Sequence, residues 1–535
     1  MVFVLSLNAQ DIDKNDILHA QKIIGIDFTD AERDSMLDDL KDQLKNFTTL
    51  RQLHLKNSVM PSLLFNPVPR GFSMTTEPGK VSYADYSSVK LPSNRNQLAW
   101  MSVGELAHLI KSKQITSVEL TKFFIERLRK HDPALHCVIT ITEERAMKEA
   151  AKADEEISRG IYKGLLHGIP YGVKDLLATE DYKTTWGAEP YMEQMIAEDA
   201  TVIARLKEAG AVLTVKLTMG ALAWGDVWFG GKTRNPWDTA NGSSGSSAGS
   251  ASAVAAGLLP FAIGTETYGS IISPSTICGT TGLRPTYGRV SRYGTMALSW
   301  SMDKIGPITR GVEDLAIVFN AIYGPDNLDP TVYNYSFSYN PHEDIKTIRV
   351  GYLKSDFEKN YPFKKYDSLV LKQLREAGIE LIPIELPDYP AGDISIMLSA
   401  EAAAAFDELT LSNRDEMLTR QIKNAWPNVF RSARLIPAVE YITASRARAI
   451  LIQKMYEAVR NIDVYIAPAW QGRNLLLTNL TGHPSVVVPT GFSENGTPVS
   501  ITFCGGLFQE GKLLRFAKYW QDMNEYHKKH PEMFE

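Results

Sequence analysis

The stretch NGSSGSSAGSASAVAAGLLPFAIGTETYGSIISPS, from Asn241 to Ser275, begins like a linker and continues like a core. Gly/Ser-rich tracts are usually flexible spacers that bury no apolar surface. Here the Ser-rich half runs directly into AVAAGLLPFAIG, an apolar segment that has to be buried. Serines in a turn-rich segment beside a buried sheet can form a catalytic site if a neighbouring base takes the proton of one hydroxyl. The rest of the sequence has to supply that base.

The composition is that of a globular protein and excludes several function classes. The chain has 535 residues, of which 44% are hydrophobic and 22% charged, and its formal net charge is −5. This mild charge, mixed in sign along the chain, gives no electrostatic footprint for nucleic acid or an anionic membrane. No apolar run reaches the ~18 residues that a membrane span needs. The three cysteines, Cys137, Cys278 and Cys504, fit neither a zinc site nor a disulfide framework, so we expect them in the core.

The N-terminal part is predicted to be a helical extension. Residues 1 to about 70 carry a capping box at Thr29 and Glu32, followed by apolar residues at helical spacing, and that stripe should pack on the main body. We predict two units, the extension with its connecting segment at residues 1–97 and the main domain at residues 98–535. The extension is expected to cover the active-site side, form a homodimer interface, or only cap the core.

The first ten residues, MVFVLSLNAQ, leave the compartment open. They are apolar but lack a basic n-region, so they are either the tail of a truncated signal peptide or a disordered or tucked-in terminus. We therefore expect a soluble protein, cytoplasmic or exported.

The main domain is predicted to be α/β. Two further capping boxes, Ser102–Glu105 and Thr116–Glu119, precede amphipathic helices. Short apolar runs then alternate with helical ones, and Asn495-Gly496 indicates a tight turn between two strands. This alternation favours a mostly parallel or mixed sheet covered by helices on both faces.

One candidate base is a histidine. GSSAG at residues 245–249 matches the nucleophile elbow G-x-S-x-G, with Ser247 as nucleophile and His483 as its best-placed partner. That motif needs a strand directly before the serine, whereas GGKTRNPWDTANGS precedes it here. The context argues against this reading. The pattern S-x-x-K also occurs, at Ser87–Lys90 and Ser301–Lys304, but its companion K-T-G motif is absent.

The other candidate base is a lysine. Lys174 follows GIPYGV, which we predict to be a strand end that enters the core. Most lysines keep a solvated head, so one inside an apolar strand points towards function. Burial would lower its pKa from ~10.4 towards neutrality, as a catalytic base requires.

Several blocks together resemble the amidase signature family: GIPYGVKD, SGSSAGSASAVAAG, IGTETYGSIISPSTICGTTGLRPTYGRVS and SMDKIGPITR. The similarity covers roughly residues 98–520, with the blocks in the family's order and spacing. It implies an α/β/α fold around a large mixed sheet, with a helical N-terminal extension added here. It also implies amide-bond cleavage through an acyl-enzyme by a Ser–cis-Ser–Lys triad, without metal or cofactor.

The resemblance places the triad on Lys174, Ser246 and Ser270. An ungapped match of SASAVAAGLLPFAIGTETYGS makes Ser246 the bridging serine and Ser270 the nucleophile, whereas the rival register with Ser243 needs an insertion. Ser247 is expected to form a supporting hydrogen bond to Lys174. The small residues around Ser246 would then be a packed active-site wall. The oxyanion is expected to be bound by the backbone N–H groups of Thr267, Tyr268, Gly269 and Ser270.

Three positions depart from the family pattern. Tyr268 replaces a glycine of the oxyanion loop, so it must adopt a φ that a bulky side chain allows. Ile272 replaces a common arginine and removes an ion pair with Glu266. Ala221 stands where an acidic residue is frequent.

The resemblance leaves the substrate open. We expect a free-standing hydrolase of non-peptide C–N bonds, acting on small or aryl amides, related esters or carbamates, or peptide amides. Trp224, Trp228 and Phe229 either line its apolar pocket or are simply core aromatics. The alternatives are a glutaminase subunit of a tRNA-dependent amidotransferase, which the long N-terminal extension fits poorly, and an inactive interaction protein on the same scaffold.

Overall fold

The computed structural model describes residues 12–74 and 79–535. The apolar stretch at residues 1–10 lies outside the described residues. The choice between a truncated signal peptide and a disordered or tucked-in terminus stays open. Within the described ranges, no helix combines the length and apolar character needed to cross a membrane.

The main domain is built on a mixed sheet, to which eleven strands of the described chain contribute, in the order β1-β3-β2-β8-β10-β9-β14-β15-β13-β11-β12. The remaining strands form two small ribbons, β4 with β5 and β6 with β7. In chain order, the strands are β1 (Val138–Ile141), β2 (Pro170–Lys174), β3 (Val212–Leu217), β4 (Val227–Trp228), β5 (Gly231–Lys232), β6 (Arg234–Asn235), β7 (Asp238–Gly242), β8 (Phe261–Glu266), β9 (Thr281–Arg284), β10 (Lys304–Thr309), β11 (Val350–Leu353), β12 (Leu381–Ile384), β13 (Val464–Pro468), β14 (Ser485–Phe492) and β15 (Pro498–Gly505).

The strand pairing confirms the predicted mixed sheet. β2 runs parallel to both β3 and β8, and β11 runs parallel to both β12 and β13. β14 and β15 are antiparallel, and the predicted tight turn at Asn495-Gly496 joins them, with Gly496 at a φ of 76°. The positive φ explains the glycine, because a side chain is disfavoured there.

Helices flank this sheet on the described chain. They are α1 (Lys14–Ile24), α2 (Asp30–Arg51), α3 (Val103–Lys111), α4 (Ser117–Leu135), α5 (Glu143–Ser158), α6 (Thr201–Glu208), α7 (Ala248–Ala255), α8 (Ile272–Cys278), α9 (Val312–Ile322), α10 (Lys354–Glu358), α11 (Lys364–Glu376), α12 (Ala391–Ile394), α13 (Ile396–Ala405), α14 (Asp407–Leu411), α15 (Trp426–Ala433), α16 (Ala438–Val459), α17 (Asn474–Thr481) and α18 (Glu510–Asn524). The three predicted capping boxes are present at the starts of α2, α3 and α4. The three cysteines are buried and free, as expected for core residues.

Among the described residues of the N-terminal extension, the α-helices end at Arg51. The prolines at positions 61, 67 and 69 of the following segment lack the N–H that a helix needs, so the predicted helical stretch stops early. The apolar stripe of α2 is half buried at best, and Leu44 and Phe47 on it are exposed, so the predicted packing on the main body is not what the described chain shows. The division at residues 97 and 98 stays a prediction.

The opening stretch folds as a tightly packed part of the core. The α7 helix within it is buried along its whole length, and the following β8 strand is buried as well. A Cβ on Gly249 would lie 2.5 Å from the carbonyl oxygen of Cys137, and one on Gly245 would lie 1.9 Å from that of Gly225. Larger side chains at these two glycines would therefore clash with the backbone of Cys137 and Gly225.

Candidate active site

Lys174, the last residue of β2, is the centre of a buried polar cluster. Its Nζ donates a hydrogen bond of 2.7 Å to Ser246 Oγ and one of 2.9 Å to Thr265 Oγ1. A longer bond of 3.4 Å reaches the carbonyl oxygen of Thr265. The lysine side chain has no solvent exposure. A buried strand end thus holds an amine against the serine that the sequence places in the triad.

Burial sets the protonation of this amine. Desolvation lowers the pKa of Lys174 to about 7, although the charges of Asp303 and Glu266 oppose the shift. A large fraction of the lysine is therefore neutral near neutral pH, as a proton acceptor has to be.

Ser246 lies just before the α7 helix and is fully buried. The peptide bond between Gly245 and Ser246 is cis. Ser243, the rival in the other register, directs its hydroxyl to the carbonyl oxygen of Ser244 instead. Of these two serines, Ser246 is the one that contacts Lys174, and its bridging role stays a prediction.

Ser247 is connected to Lys174 through Thr265. Its Oγ accepts a hydrogen bond of 3.1 Å from the Thr265 N–H and donates one of 3.1 Å to the Thr265 carbonyl oxygen. The expected direct bond to Lys174 is not formed, because the hydroxyl of Ser247 is already used by the backbone of Thr265. Thr265, which the sequence reasoning missed, therefore connects Ser247 with the lysine.

Ser270 lies in the turn between β8 and α8, and its carbonyl oxygen accepts a 3.1 Å hydrogen bond from the Ser247 N–H. Its side chain is 8% exposed. In the part of the chain that the structure describes, its hydroxyl has no hydrogen-bond partner, so a direct link to Ser246 stays part of the proposal below. The N–H groups of Tyr268, Gly269 and Ser270 likewise donate to no acceptor among the described residues. These are three of the predicted oxyanion donors.

The glycine that Tyr268 replaces is not needed in this turn. The left-handed φ, of 90°, belongs to Gly269, whereas Tyr268 is not among the described residues with a positive φ. Tyr268 is 46% exposed, so its ring is not packed inside the core. The remaining predicted oxyanion residue, Thr267, donates a 2.5 Å hydrogen bond to Asp303 Oδ1.

A buried carboxylate holds this turn in place. Glu266 Oε2 accepts the N–H groups of Ile271 and Ile272, both at 2.9 Å, while Oε1 accepts from Arg284 at 2.7 Å and from Asn479 at 2.9 Å. Burial raises the pKa of Glu266, but Arg284, Lys304 and the donated hydrogen bonds outweigh it and lower the pKa to about 2. The ion pair that Ile272 cannot make is thus supplied by Arg284. Arg284 lies in the block GLRPTYG, which is part of the sequence that carries the family resemblance.

The alternative bases are not placed to act. His483 is buried, its Nδ1 bonds to Thr481 Oγ1 at 2.8 Å, and burial lowers its pKa to about 3. No hydrogen bond within the described chain joins it to Ser247. Lys304 of the second S-x-x-K match donates to the carbonyl oxygen of Met302, and the hydroxyl of Ser301 donates to Glu401 at 2.7 Å. The described residues contain no group of three or more His, Cys, Asp or Glu side chains arranged to hold a metal.

A cavity of about 340 Å³ opens beside the cluster. Thr265 and Thr267 of the site line one side of it, and Met296, Leu298 and Ile305 give it an apolar wall. The three predicted pocket aromatics are not among its lining residues. Trp224 lies under Arg420 at 4.9 Å, and the rings of Trp228 and Phe229 are 4.9 Å apart. Their role in substrate binding stays a prediction.

Comparison with known proteins assigns the family. Residues 119–474, more than half of the chain, match the family model described as Amidase. The chain belongs to the amidase family. This confirms the resemblance to the amidase signature family and the fold expected from it. The family member described here is a hydrolase that acts on C–N bonds, and its family implies an amide substrate.

Relatives of this amidase-family protein carry different names. Over 484 residues it is 32% identical to a glutamyl-tRNA(Gln) amidotransferase subunit of Sulfurihydrogenibium sp., with 81% of this chain and 99% of the relative covered. The native peptide amidase of Stenotrophomonas maltophilia superimposes with a TM-score of 0.71 at 29% identity, covering 80% of this chain and 98% of that one. An amidase family protein from Bacillus anthracis gives 0.72 at 27% identity, with 85% and 100% covered.

Proposed function

We propose that the chain is an amide-bond hydrolase that works through an acyl-enzyme on Ser270, with Ser246 and Lys174 as the proton relay. The observation that carries the proposal is the 2.7 Å hydrogen bond from Lys174 Nζ to Ser246 Oγ, fully buried and beside a cavity. A buried lysine without a carboxylate partner costs stability, so its burial against a serine is best explained by proton transfer.

The relay follows from this geometry. Neutral Lys174 takes the proton of Ser246, and Ser246 takes that of Ser270 as the Ser270 Oγ attacks the amide carbonyl. The proton returns along the same path to the leaving amine, the C–N bond breaks, and the acyl group remains on Ser270 as an ester. Water then attacks this ester, with the same relay accepting its proton, and releases the acid.

The negative charge that develops on the carbonyl oxygen is stabilised by the turn before α8. The unpaired N–H groups of Tyr268, Gly269 and Ser270, with that of Thr267, are the proposed donors. Losing one such donor costs on the order of 3 kcal/mol in the barrier. The Glu266 anchor fixes the turn, so the donors do not have to reorganise during the reaction.

The basic side chains of the cavity are not free to bind an anionic substrate group. The two basic side chains that line it, Arg292 and Lys304, are already engaged. Arg292 Nε bonds to Asp329 at 3.0 Å and its Nη1 to the Trp300 carbonyl oxygen at 2.6 Å, while Lys304 donates to Met302. We therefore propose a free-standing amidase for small or aryl amides, peptide amides, or related esters and carbamates.

The second candidate is a glutaminase subunit of a tRNA-dependent amidotransferase. It is favoured by the 32% identity to curated proteins of that name over almost their full length. Glutamine carries an α-carboxylate, and the engaged state of Arg292 and Lys304 fits that group poorly. Ammonia release from glutamine only in the presence of partner subunits would support this candidate, and release from aryl amides by the chain alone would exclude a need for partners.

A fluorophosphonate probe with peptide mapping tests the proposal. We expect label on Ser270 of the wild type and its loss or strong slowing in Lys174→Ala. The matched control is Ser243→Ala, which removes a buried hydroxyl of the same stretch that does not contact Lys174 and should label normally. Label on Ser247 that depends on His483 would contradict the mechanism. A folded chain without label would favour an inactive interaction protein.

A further inference from the structure

We propose that residues 57–60 of the N-terminal extension form the outer wall of the substrate cavity, and that Met60 limits the size of the apolar substrate group. The inference rests on the proposed hydrolase function and adds a specificity-determining residue to it. Of the three roles expected for the extension, the proposal selects the first, in which part of the extension covers the active-site side.

The cavity has two sides of different origin. Thr265 and Thr267 line it from the catalytic cluster, and Asn57, Ser58 and Met60 line it from the extension. A substrate group that enters this 340 Å³ space from Ser270 would lie between these two sides. Ligand cavities range from about 300 to 1,000 Å³, so this one is small and its walls decide what fits.

Asn57 fixes the wall to the main domain. Its Nδ2 donates to the carbonyl oxygens of Ala297 at 2.8 Å and Ala405 at 3.2 Å, while its Oδ1 accepts from the Ala297 N–H at 2.8 Å. Ala297 itself lines the cavity. The side-chain amide of Asn57 thus acts as donor and acceptor at the same time, as the backbone of a paired strand does. It holds residues 57–60 against the loop that contains Ala297.

A second anchor follows a few residues later. The ring of Phe65 meets that of Tyr287 at 4.9 Å in an edge-on arrangement, and the Arg448 guanidinium lies 3.6 Å from its centroid. Between the two anchors, Leu63 is 82% exposed and touches little, whereas Met60 is half buried. Both ends of the segment are held, so the position of Met60 at the cavity is defined.

This wall lies outside the residues that the family model matches, because that match begins at residue 119. The substrate range of relatives therefore cannot be transferred to this cavity. Its size limit is a property of this chain's own extension.

The side chain at position 60 suits an apolar occupant. Methionine is unbranched and polarizable, and it adapts to irregular apolar surfaces. Together with Leu176, Met296 and Leu298, it gives the cavity an apolar lining away from the polar relay. One methylene gained or lost against such a wall changes kcat/KM by about tenfold or more, so a change in side-chain volume at position 60 should shift the preferred length.

The test is a profile of kcat/KM for p-nitrophenyl esters from acetate through butanoate to octanoate, with wild type, Met60→Ala and Met60→Trp. We expect the octanoate-to-acetate ratio to rise about tenfold in Met60→Ala and to fall about tenfold in Met60→Trp. The matched control is Leu63→Ala, an apolar truncation in the same segment away from the cavity, which should keep the wild-type profile. Ser58→Trp is a second obstruction at an exposed lining residue, in case a Met60 variant does not fold.

The outcomes separate the two proposals. A wild type that neither hydrolyses any ester nor takes up the fluorophosphonate probe overturns the proposed function and the wall with it. The proposal about the wall alone is overturned if the wild type is active and its profile is unchanged by Met60→Ala, Met60→Trp and Ser58→Trp, each with a wild-type melting temperature. Ratios that move in opposite directions for the two Met60 variants establish it.

Discussion

Glu266 at the end of β8 and Arg284 at the end of β9 form an ion pair of 2.7 Å in which neither side chain has any solvent exposure. The same carboxylate holds the N–H groups of Ile271 and Ile272, directly after the proposed nucleophile. The pair therefore couples the stability of the sheet to the position of Ser270.

Arg284→Met should strongly destabilise the protein. It leaves a buried carboxylate without its cation, which costs about 3–5 kcal/mol of unfolding free energy. Chemical denaturation measures the change. Glu144→Gln is the control, because its ion pair with Lys148 is 2.7 Å long but exposed and should not shift the transition. Equal stabilities of Arg284→Met and wild type would show that the pair does not anchor the turn.

Activity should depend on the deprotonation of Lys174. Its pKa, lowered to about 7 by burial, means that the amine is protonated and inactive at lower pH and neutral at higher pH. We expect kcat/KM to fall about tenfold per pH unit below the pKa and to level off above it. A pH series of kcat/KM measures this. Lys174→Ala should lose roughly a thousandfold in activity and the pH step with it. A wild-type profile that falls as the pH rises through neutrality would contradict the base role.

Ser247→Ala should reduce kcat beyond what its loss of unfolding free energy explains. The substitution removes the two hydrogen bonds between Ser247 Oγ and the backbone of Thr265, which in turn contacts Lys174. Ser250→Ala is the matched control: its buried hydroxyl bonds to the carbonyl oxygen of Ile263, two positions earlier on the same strand. Each variant should lose about 1–3 kcal/mol of unfolding free energy. Steady-state kinetics should show a loss of kcat for Ser247→Ala alone, and equal losses in the two would argue against a positioning role.

His483→Asn should keep Ser270 labelling and hydrolysis. His483 is buried, bonds to Thr481, and burial lowers its pKa to about 3, so it is a neutral core residue. The measurement is the rate of fluorophosphonate labelling relative to wild type, with a melting curve to correct for lost stability. A labelling rate that collapses in a folded His483→Asn protein would restore the histidine-based alternative.

The sequence predicted much of the local structure because the signals are local. Capping boxes and the turn at Asn495-Gly496 depend on residues a few positions apart, and each is found as predicted. The helical stripe of α2 was predicted correctly as a helix but not in its packing. What a stripe packs against is a contact between distant segments, which periodicity alone does not specify.

The sequence by itself determined the family, the mixed sheet and the lysine and serines worth testing, because order and spacing along the chain carry that information. Only the tertiary structure decided that Thr265 stands between Ser247 and the lysine, and that Arg284 pairs with Glu266. It also decided that residues 57–60 reach a cavity lined by Thr265 and Thr267. These contacts join residues that are far apart in sequence, and the folding of β2, β8 and the extension around one core brings them together.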